Sequence, residues 1–302
     1  MVDLPVARTQ GAHAGIPSAA RHRAERREPG FRASYRALGG VALEGARVSV
    51  AVSDLATGES VFAVDERIVL PTASVGKILL LIEVSARLTD RSVSDFAIVD
   101  REANDAVADS GLWQHLQAPA FPLGDLAALV GATSDNLATN VLLRQIGLPA
   151  IRARSEKLGL VRTALLDRVR DERGPDHAPQ LSVGSAAELA WLFQALAHGH
   201  IVDVETSERV LGWLSLNTDL SLVAGAFGRD PLAHRGVEHN TWMVNKTGTD
   251  VGVRSEAGVL RGPRTGVAYA VSVHFEDTDL GQRLRVIEAM RTFGLDLLEY
   301  VH

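Results

Sequence analysis

Cysteine is missing from all 302 residues of the sequence, and so is any long apolar run. Without a thiol the chain has no disulfide, no cysteine nucleophile and no thiolate metal ligand, and its redox compartment stays open. No stretch reaches the roughly 18 consecutive apolar residues of a transmembrane helix, so we expect no membrane span. The first forty residues also lack the apolar segment of a secretory signal. We expect either a cytoplasmic protein or an export signal outside this sequence, so the compartment stays unknown.

Positive charge is scarce as well. The chain has 31 Lys plus Arg against 37 Asp plus Glu, a formal net charge of -6, and it has no concentrated basic stripe. This composition argues against nucleic-acid binding. The pairs His198/His200 and His234/His239 lack a zinc motif's spacing, so we expect exposed loop histidines, no metal and no cofactor. The expected partner is a small-molecule substrate, bound by a monomer.

Lysine is the rarest charged residue, since only Lys77, Lys157 and Lys246 occur in a chain that otherwise uses arginine. Arginine keeps its proton in proteins, whereas a buried lysine can lose its proton and act as a base. A lysine kept in this background therefore hints at chemistry. For any single one of them, compositional bias is the simpler explanation.

Strand-like segments occur near both ends of the chain. "RVSVAVSDL" and "SVFAVD" flank a glycine-containing turn and predict a hairpin. Three more strands are predicted after Thr241, in "TWMVNKTG", "RSEAGVLRG" and "GVAYAVSVHF". From Ser74 to about His200 the apolar spacing is mainly helical. The pattern predicts an α+β fold, with an antiparallel sheet from both chain ends, flanked by helices, and an all-helical insertion.

The same pattern predicts the domain organisation. A tail is expected at residues 1–30, a sheet domain at 31–73 and 228–302, and a helical domain at 74–227. The functional cleft is expected between the two domains.

Caps and glycines predict several helix boundaries. A short helix from Phe31 to Leu38 should end at the Gly-Gly pair that follows, and a buried helix should begin at Ser74. In "NLATNVLLRQIG", Asp135 or Ser134 is the expected N-cap and Gly147 the expected terminator.

Ser74 and Lys77 form a Ser-x-x-Lys pair at the start of the buried helix. Residues three apart are neighbours on a helix face, and a helix N-terminus offers N–H groups to a developing anion. A desolvated Lys77 can accept the proton of the Ser74 hydroxyl, which would explain a lysine among apolar neighbours. Alone the pair is a weak signal, because this spacing arises by chance in many proteins.

Two further motifs change that judgement. "TSDN" places Ser134, Asp135 and Asn136 at a break between helices, and "NKTGTD" places Lys246 at the end of a strand. Ser-x-x-Lys, Ser-Asp-Asn and Lys-Thr-Gly together form the signature of serine β-lactamases and penicillin-binding proteins. With "DLATGESVFAVDERIVLPTASVGKILLL" and "ATSDNLATNVLLRQIG", the chain resembles class A serine β-lactamases and related serine hydrolases from about Phe31 to its end.

The resemblance implies four catalytic side chains. Ser74 would be the acylated nucleophile, and Lys77 its neighbouring base and hydrogen-bond partner. Ser134 would pass a proton to the leaving nitrogen. Lys246 would keep the field positive near Ser134 and the substrate carboxylate.

The resemblance also implies substrate-binding residues. The backbone N–H groups of the nucleophile and Thr249 would form an oxyanion hole, and such donors supply several kcal/mol. Asn136 would hold the substrate's side-chain amide, and Thr247 and Thr249 would donate to its carboxylate. Gly248 lies between the two threonines and belongs to the same set. Arg254 falls where class A enzymes often carry a carboxylate-binding arginine.

One loop, "LLDRVRDERGPDHAP", departs from the class A pattern. The position of the family's water-activating glutamate falls at Arg170, and that of its partner asparagine at Gly174. Arginine cannot act as a general base. Asp171 or Glu172 would substitute only in a shifted loop, and a solvated charge cluster is the simpler interpretation. We therefore expect acylation at Ser74 with slow deacylation.

Three functions fit these residues. The first is β-lactam hydrolysis, and the second is a D-Ala peptidase or esterase activity of the penicillin-binding type. The third is a β-lactam sensor that traps the acyl group. A Gly-x-Ser-x-Gly elbow is absent, which argues against an α/β-hydrolase.

Three further residues have alternative interpretations. Trp113 is either an aromatic wall of the cleft or an ordinary packing residue. An ion pair between Arg168 and Asp176 would be of little energetic consequence in so charged a stretch.

Overall fold

The structure is a computed structural model, and it describes residues 30–94 and 96–302. The predicted tail therefore lies almost wholly outside the described residues. The α-helices are α1 (Arg32–Leu43), α2 (Lys77–Thr89), α3 (Leu123–Thr133), α4 (Asn136–Ile146), α5 (Leu148–Lys157), α6 (Ala186–Ala197), α7 (Val204–Leu214) and α8 (Leu280–Val301). The strands are β1 (Arg47–Asp54), β2 (Ser60–Val64), β3 (Leu70–Pro71), β4 (Ile98–Asp100), β5 (Ala120–Pro122), β6 (Ala164–Leu165), β7 (Ser182–Gly184), β8 (Trp242–Asp250), β9 (Val253–Arg261) and β10 (Gly266–His274).

The main sheet has five strands in the order β2-β1-β10-β9-β8, and every neighbouring pair is antiparallel. Two of its strands precede the helical part of the chain and three follow it, so both chain ends build one sheet. This arrangement confirms the predicted fold class. The Lys-Thr-Gly strand, β8, is an edge strand, which leaves one of its sides open to the helical layer.

Strand β10 shows how the sheet separates two layers. Val267, Tyr269 and Val271 join the apolar cluster that contains α1 and α8. The alternating residues Ala268 and Ala270 join the cluster of α2, α3, α4 and α6. Their small side chains let α6 pack closely on the sheet, since strand residues alternate between faces.

Helix α2 is buried almost all round, as its apolar sequence predicts, but it begins at Lys77 and not at Ser74. Residues Ala73–Gly76 form a tighter 3-10 turn instead, and Ala73 has a φ of 45°. Ser182 explains the tight turn, because its hydroxyl donates to the Ala73 carbonyl at 2.6 Å. A Cβ on Gly76 would collide with the Ser182 side chain, so this turn is pressed against β7.

Helix α1 extends beyond its predicted end. It continues through the Gly39-Gly40 pair to Leu43, and the turn follows at Gly45, where φ is 98°. Glycine in a helix costs about 1 kcal/mol relative to alanine. Burial of Leu38 and Val41 on both sides of the pair against α8 offsets this cost.

No helix within the described ranges is both long enough and apolar enough to cross a membrane. The residue boundaries of the two expected domains stay a prediction.

Candidate active site

The Ser-Asp-Asn segment lies between α3 and α4, as its sequence predicts. Asp135 is the N-cap: its side chain accepts from the N–H of Ala138 at 2.9 Å. It also accepts from Leu112 N at 2.7 Å and Trp113 N at 2.8 Å. This fully buried carboxylate fixes the backbone on both sides of the break, and Ser134 before it adopts the left-handed conformation, with φ 55°.

Lys77 is fully buried and reaches this segment from α2. Its ammonium donates to the Ser134 carbonyl at 2.6 Å, the Ser134 hydroxyl at 3.2 Å and Asn136 Oδ1 at 2.7 Å. These three acceptors match the three hydrogens of an ammonium. The Ser74 hydroxyl is not among them, so the expected Ser74–Lys77 hydrogen bond is not formed in this structure.

Lys246 reaches the same hydroxyl from the opposite side. Its ammonium donates to Ser134 Oγ at 3.1 Å and to the Thr247 carbonyl at 2.8 Å, and it is also fully buried. The Ser134 hydroxyl therefore bridges the two lysines. Three of the four predicted catalytic side chains meet at this point.

Burial controls the charge of both lysines. Loss of hydration is the main reason why the pKa of Lys77 lies well below its ordinary value, and repulsion from Lys246 is the second. The negative charges of Asp135 and Asp109 act in the opposite direction. Burial lowers the pKa of Lys246 to about 8, against the attraction of Asp219 and Glu256. Neither lysine forms an ion pair with a carboxylate of residues 30–94 or 96–302. A proton can therefore leave this cluster far more readily than it leaves an exposed lysine.

Ser74 lies half-buried in the 3-10 turn, directly against β8. A Cβ added to Gly248 would lie 3.0 Å from the backbone nitrogens of Ser74 and Val75, and it would overlap the Thr72 carbonyl. The absence of a side chain at Gly248 is thus what allows the strand and the turn to touch. The Ser74 hydroxyl forms no hydrogen bond with the described residues, which leaves it available to a reactant.

The other residues predicted to bind substrate differ in how free their side chains are to contact it. Both ends of the Asn136 amide are occupied, because Oδ1 accepts from Lys77 and Nδ2 donates to the Ala108 carbonyl at 3.2 Å. Thr247 is buried, whereas Thr249 is exposed beyond the end of the Lys-Thr-Gly motif. A cavity of about 580 Å³ is lined by Ala108, Leu137 and Asp171, among other residues.

Arg254 lies opposite Thr249 in the β8–β9 pairing. Its guanidinium donates to the carbonyls of Asp250 and Val253, each at 2.8 Å, and it lies over the Phe275 ring. Burial lowers the pKa of Arg254, and the charge of Asp277 opposes this shift most strongly. The side chain is held by its own hairpin in this structure.

In the charged loop, Arg170 turns toward Asp167. Its Nε lies 2.8 Å from Asp167 Oδ2, and Arg173 contacts the same oxygen at 2.8 Å. Burial opposes ionisation of Asp167, but hydrogen bonds, first from Arg170, hold its pKa below the ordinary value. Asp171 is used differently, since its Oδ1 accepts from the N–H of Ala108 at 2.9 Å.

Arg168 does not form the considered ion pair with Asp176. Its guanidinium donates to the Asn104 carbonyl at 2.7 Å instead. This bond connects the charged loop to the segment around Asn104, whose neighbours line the cavity.

Asn140, which belongs to none of the three motifs, anchors this loop. Its Oδ1 accepts from Val169 N at 2.9 Å, and its Nδ2 donates to the carbonyls of Val169 and Asp105. Asn140 lies four residues after Asn136 on α4, so the two share a helix face. That spacing was the available signal for a second site-facing amide.

The structure also resolves the open question of Trp113. Its indole is fully buried, packs edge-on against Phe121 at 5.3 Å and donates to the Ala118 carbonyl. It is a packing residue.

One histidine prediction is wrong. His234 is only 2% exposed, because its ring bonds to the Asp230 carbonyl inside the loop that precedes β8. Within the described part of the chain, no cluster of three potential ligands is suited to a metal ion.

Residues 33–301 match the profile of the family described as Beta-lactamase2, the beta-lactamase enzyme family. The β-lactamase of Sphaerobacter thermophilus DSM 20745 superposes with a TM-score of 0.75 at 22% identity, over 88% of this chain and 96% of that chain. PBP-A gives a TM-score of 0.74 at 18% identity, over 88% and 94% of the two chains. A β-lactamase of Xanthomonas campestris pv. campestris str. ATCC 33913 gives 0.74 at 16% identity, over 89% and 97%.

No curated protein matches the sequence significantly. The solved structures show the fold, and the profile extends from the start of α1 to the end of α8. The chain therefore belongs to the beta-lactamase enzyme family and has its serine hydrolase fold and enzymatic class.

Proposed function

We propose that this protein is acylated at Ser74 by β-lactams and releases the acyl group slowly. The observation that carries the proposal is the Ser134 hydroxyl, which accepts from two buried lysines, one of them Lys77, directly after the turn of Ser74. A related structure, a variant of PBP-A, is described as an acyl-enzyme complex with penicillin G. That chemistry needs a free nucleophile, a proton path to the leaving nitrogen and donors for an oxyanion.

The first step forms a bond between Ser74 Oγ and the substrate carbonyl carbon, and the hydroxyl proton passes to the neutral amine of Lys77. The lowered pKa of Lys77 supports this role, because burial makes the neutral amine easier to form than on an exposed lysine. The backbone N–H groups of Ser74 and Thr249 are proposed to bind the oxyanion.

In the second step the carbon–nitrogen bond of the substrate breaks. Ser134 gives its proton to the leaving nitrogen and takes one from Lys77, which lies 3.2 Å from its hydroxyl. Lys246 keeps the field positive around Ser134. The protons balance, since the one taken from Ser74 ends on the leaving group.

Substrate recognition is proposed for five residues: Asn136, Thr247, Gly248, Thr249 and Arg254. Because Asn136 and Arg254 are engaged in internal hydrogen bonds, binding would need the bonds Asn136–Ala108 and Arg254–Asp250 to open. We therefore expect weak recognition of the acyl side chain and carboxylate.

Slow release rests on Arg170. Its guanidinium is bound to Asp167, and an arginine cannot activate water. Asp171, the nearest alternative, is bound to the backbone of Ala108. The acyl-enzyme is therefore expected to outlast each acylation event.

A time course with a fluorescent penicillin tests the proposal. We expect stoichiometric labelling of the parent protein that decays over minutes or longer, and no labelling of Ser74→Ala. Fast hydrolysis without an adduct detectable by mass spectrometry would contradict slow release. Absence of any label would contradict the acylation itself.

A second candidate, a peptidase or esterase of the penicillin-binding type, is favoured by the Arg170–Asp167 pair, because such an enzyme does not depend on a loop glutamate. Turnover of nitrocefin and of a D-Ala-D-Ala peptide would separate the two. A label that never decays would instead indicate a sensor that traps the acyl group.

A further inference from the structure

A buried polar network lies behind Lys246, across the sheet. Glu256 on β9 is opposite Thr247 in the strand pairing, and it is fully buried with Tyr269 and Asn245. Its carboxylate accepts from the Tyr269 hydroxyl at 2.7 Å and from Asn245 Nδ2 at 3.0 Å. Two backbone N–H groups, of Val223 and Ala224, complete the set at 2.8 and 3.2 Å. No residue of the mechanism above uses this group.

All four partners donate hydrogen bonds to Glu256, which favours its ionised carboxylate. Backbone N–H groups can only donate, so both oxygens of Glu256 are held as acceptors. Burial nevertheless raises the pKa of Glu256 to about 7, while the Tyr269 and Asn245 bonds oppose that rise. Asp219 and Tyr269 are the other titratable groups that act on it. The carboxylate is therefore ionised above neutral pH.

The network is connected to the active-site strand through two amides. Asn217 Nδ2 donates to Asn245 Oδ1 at 2.8 Å and to the Asp219 carbonyl at 3.1 Å. Asn245 directly precedes Lys246, so the Glu256 carboxylate and the Asp219 backbone are held at fixed positions relative to that lysine.

A nearby negative charge favours a protonated Lys246, since Lys246 is fully buried and shares the Ser134 hydroxyl with Lys77. The attraction of Asp219 for this proton is larger than that of Glu256, but Asp219 is half-exposed, and solvent and salt screen it. Glu256 is screened far less. We propose that Glu256 is a positioning residue whose buried carboxylate keeps the Lys246 side chain an ammonium inside the active site.

The rarity of lysine makes a direct test possible. Lysine labelled with ¹³C at Cε gives three signals, from Lys77, Lys157 and Lys246, and Lys157→Arg assigns the exposed one. In the parent protein we expect Lys246 to titrate near pH 8, with a smaller step near pH 7 as Glu256 loses its proton. This measurement needs no substitution within the network.

Glu256→Gln removes the charge and keeps the size of the side chain. We expect the Lys246 midpoint to fall by about half a pH unit or more, and added salt not to abolish the difference. Asp219→Asn should also lower the titration midpoint of Lys246, but about 0.5 M salt should make this decrease smaller, because Asp219 is screened by solvent. An unchanged midpoint in Glu256→Gln, together with no step in the parent, would overturn the proposal.

Ser272→Ala is the matched structural control. It removes a buried hydrogen bond to Ser255 on β9, at 2.7 Å, without changing any charge. It should lower stability and leave the Lys246 midpoint in place. Equal midpoint shifts in Ser272→Ala and Glu256→Gln would show a merely structural role.

The consequence for activity rests on the proposed function and is measured separately. The rate of labelling by a carboxylate-bearing fluorescent penicillin should fall on the alkaline side, and the fall should occur at lower pH in Glu256→Gln. If the parent is not labelled at all, the proposed function fails while the lysine titration still decides the role of Glu256.

Discussion

Gly248 touches the turn of Ser74 because it has no side chain: a Cβ there would lie 3.0 Å from Ser74 N and would overlap the Thr72 carbonyl. Gly248→Ala must therefore push β8 away from the nucleophile or rotate the turn. A displacement of about 1 Å at a reacting group can cost about 100-fold in rate, so we expect a fall of that size in acylation at Ser74. The second-order rate of penicillin labelling measures it.

Gly212→Ala is the matched control, since Gly212 lies in α7 with nothing within 4 Å of an added Cβ. It should stabilise the helix by up to about 1 kcal/mol and leave labelling unchanged. Equal losses of activity in the two variants would show that contact with Ser74 is not the cause.

The buried charge of Lys246 should be visible in the pH dependence of stability. Its pKa is about 8 in the folded protein and 10.5 ordinarily, so between these values the unfolded chain binds more protons. The parent therefore gains stability as the pH rises through this window. We expect Lys246→Met to be more stable than the parent by a margin that shrinks from pH 8 to pH 10, in urea unfolding.

Lys157→Met, at an exposed position, should stay within about 0.5 kcal/mol of the parent at every pH. A margin for Lys246→Met that does not change with pH would mean that the lysine is not held as a costly ammonium in the fold.

The features of the site and fold that can be predicted from the sequence lie in short segments. Three short motifs, which can be recognised from their spacing and order in the sequence alone, contain Ser74, Lys77, Ser134 and Lys246. In the structure, Lys77 and Lys246 donate to the same hydroxyl, that of Ser134. The apolar periodicity predicted the sheet from both chain ends and the helices between.

The unpredicted part depends on pairs far apart in the chain. The hydroxyl of Ser182 bonds to the Ala73 carbonyl in the turn of Ser74, although Ser182 is far away in the sequence. The residues around Ser182 form no recognisable motif, so this contact could not be predicted. Helix α1 runs through Gly39-Gly40 because burial against α8, a tertiary term, outweighs the local propensity of glycine. The orientation of Arg254 toward Asp250 is a local contact by contrast, but it depends on the side-chain conformation that the hairpin selects.

Arg170→Glu tests whether position 170 faces the acyl group. In this structure Arg170 neutralises Asp167, so a glutamate would place two carboxylates side by side and remove an ion pair. We expect a less stable loop and an acyl-enzyme lifetime unchanged within a factor of about two, because the side chain at position 170 is directed at Asp167. A lifetime shortened tenfold or more, in a decay of fluorescent label, would show that a carboxylate at position 170 reaches the ester.

Asp135→Ala should be the most destabilising change in the Ser-Asp-Asn segment. Its carboxylate accepts from three backbone N–H groups, of which those of Trp113 and Ala138 are buried and that of Leu112 is partly buried. We expect a loss of about 3 kcal/mol or more in unfolding free energy, because each orphaned buried donor costs about 1–3 kcal/mol. Asp203→Ala removes a cap of α7 that holds only Thr206 N, and should cost about 1 kcal/mol. Similar losses in the two variants would mean that the bonds to Leu112 and Trp113 contribute little, and that the position of Ser134 rests on α4 alone.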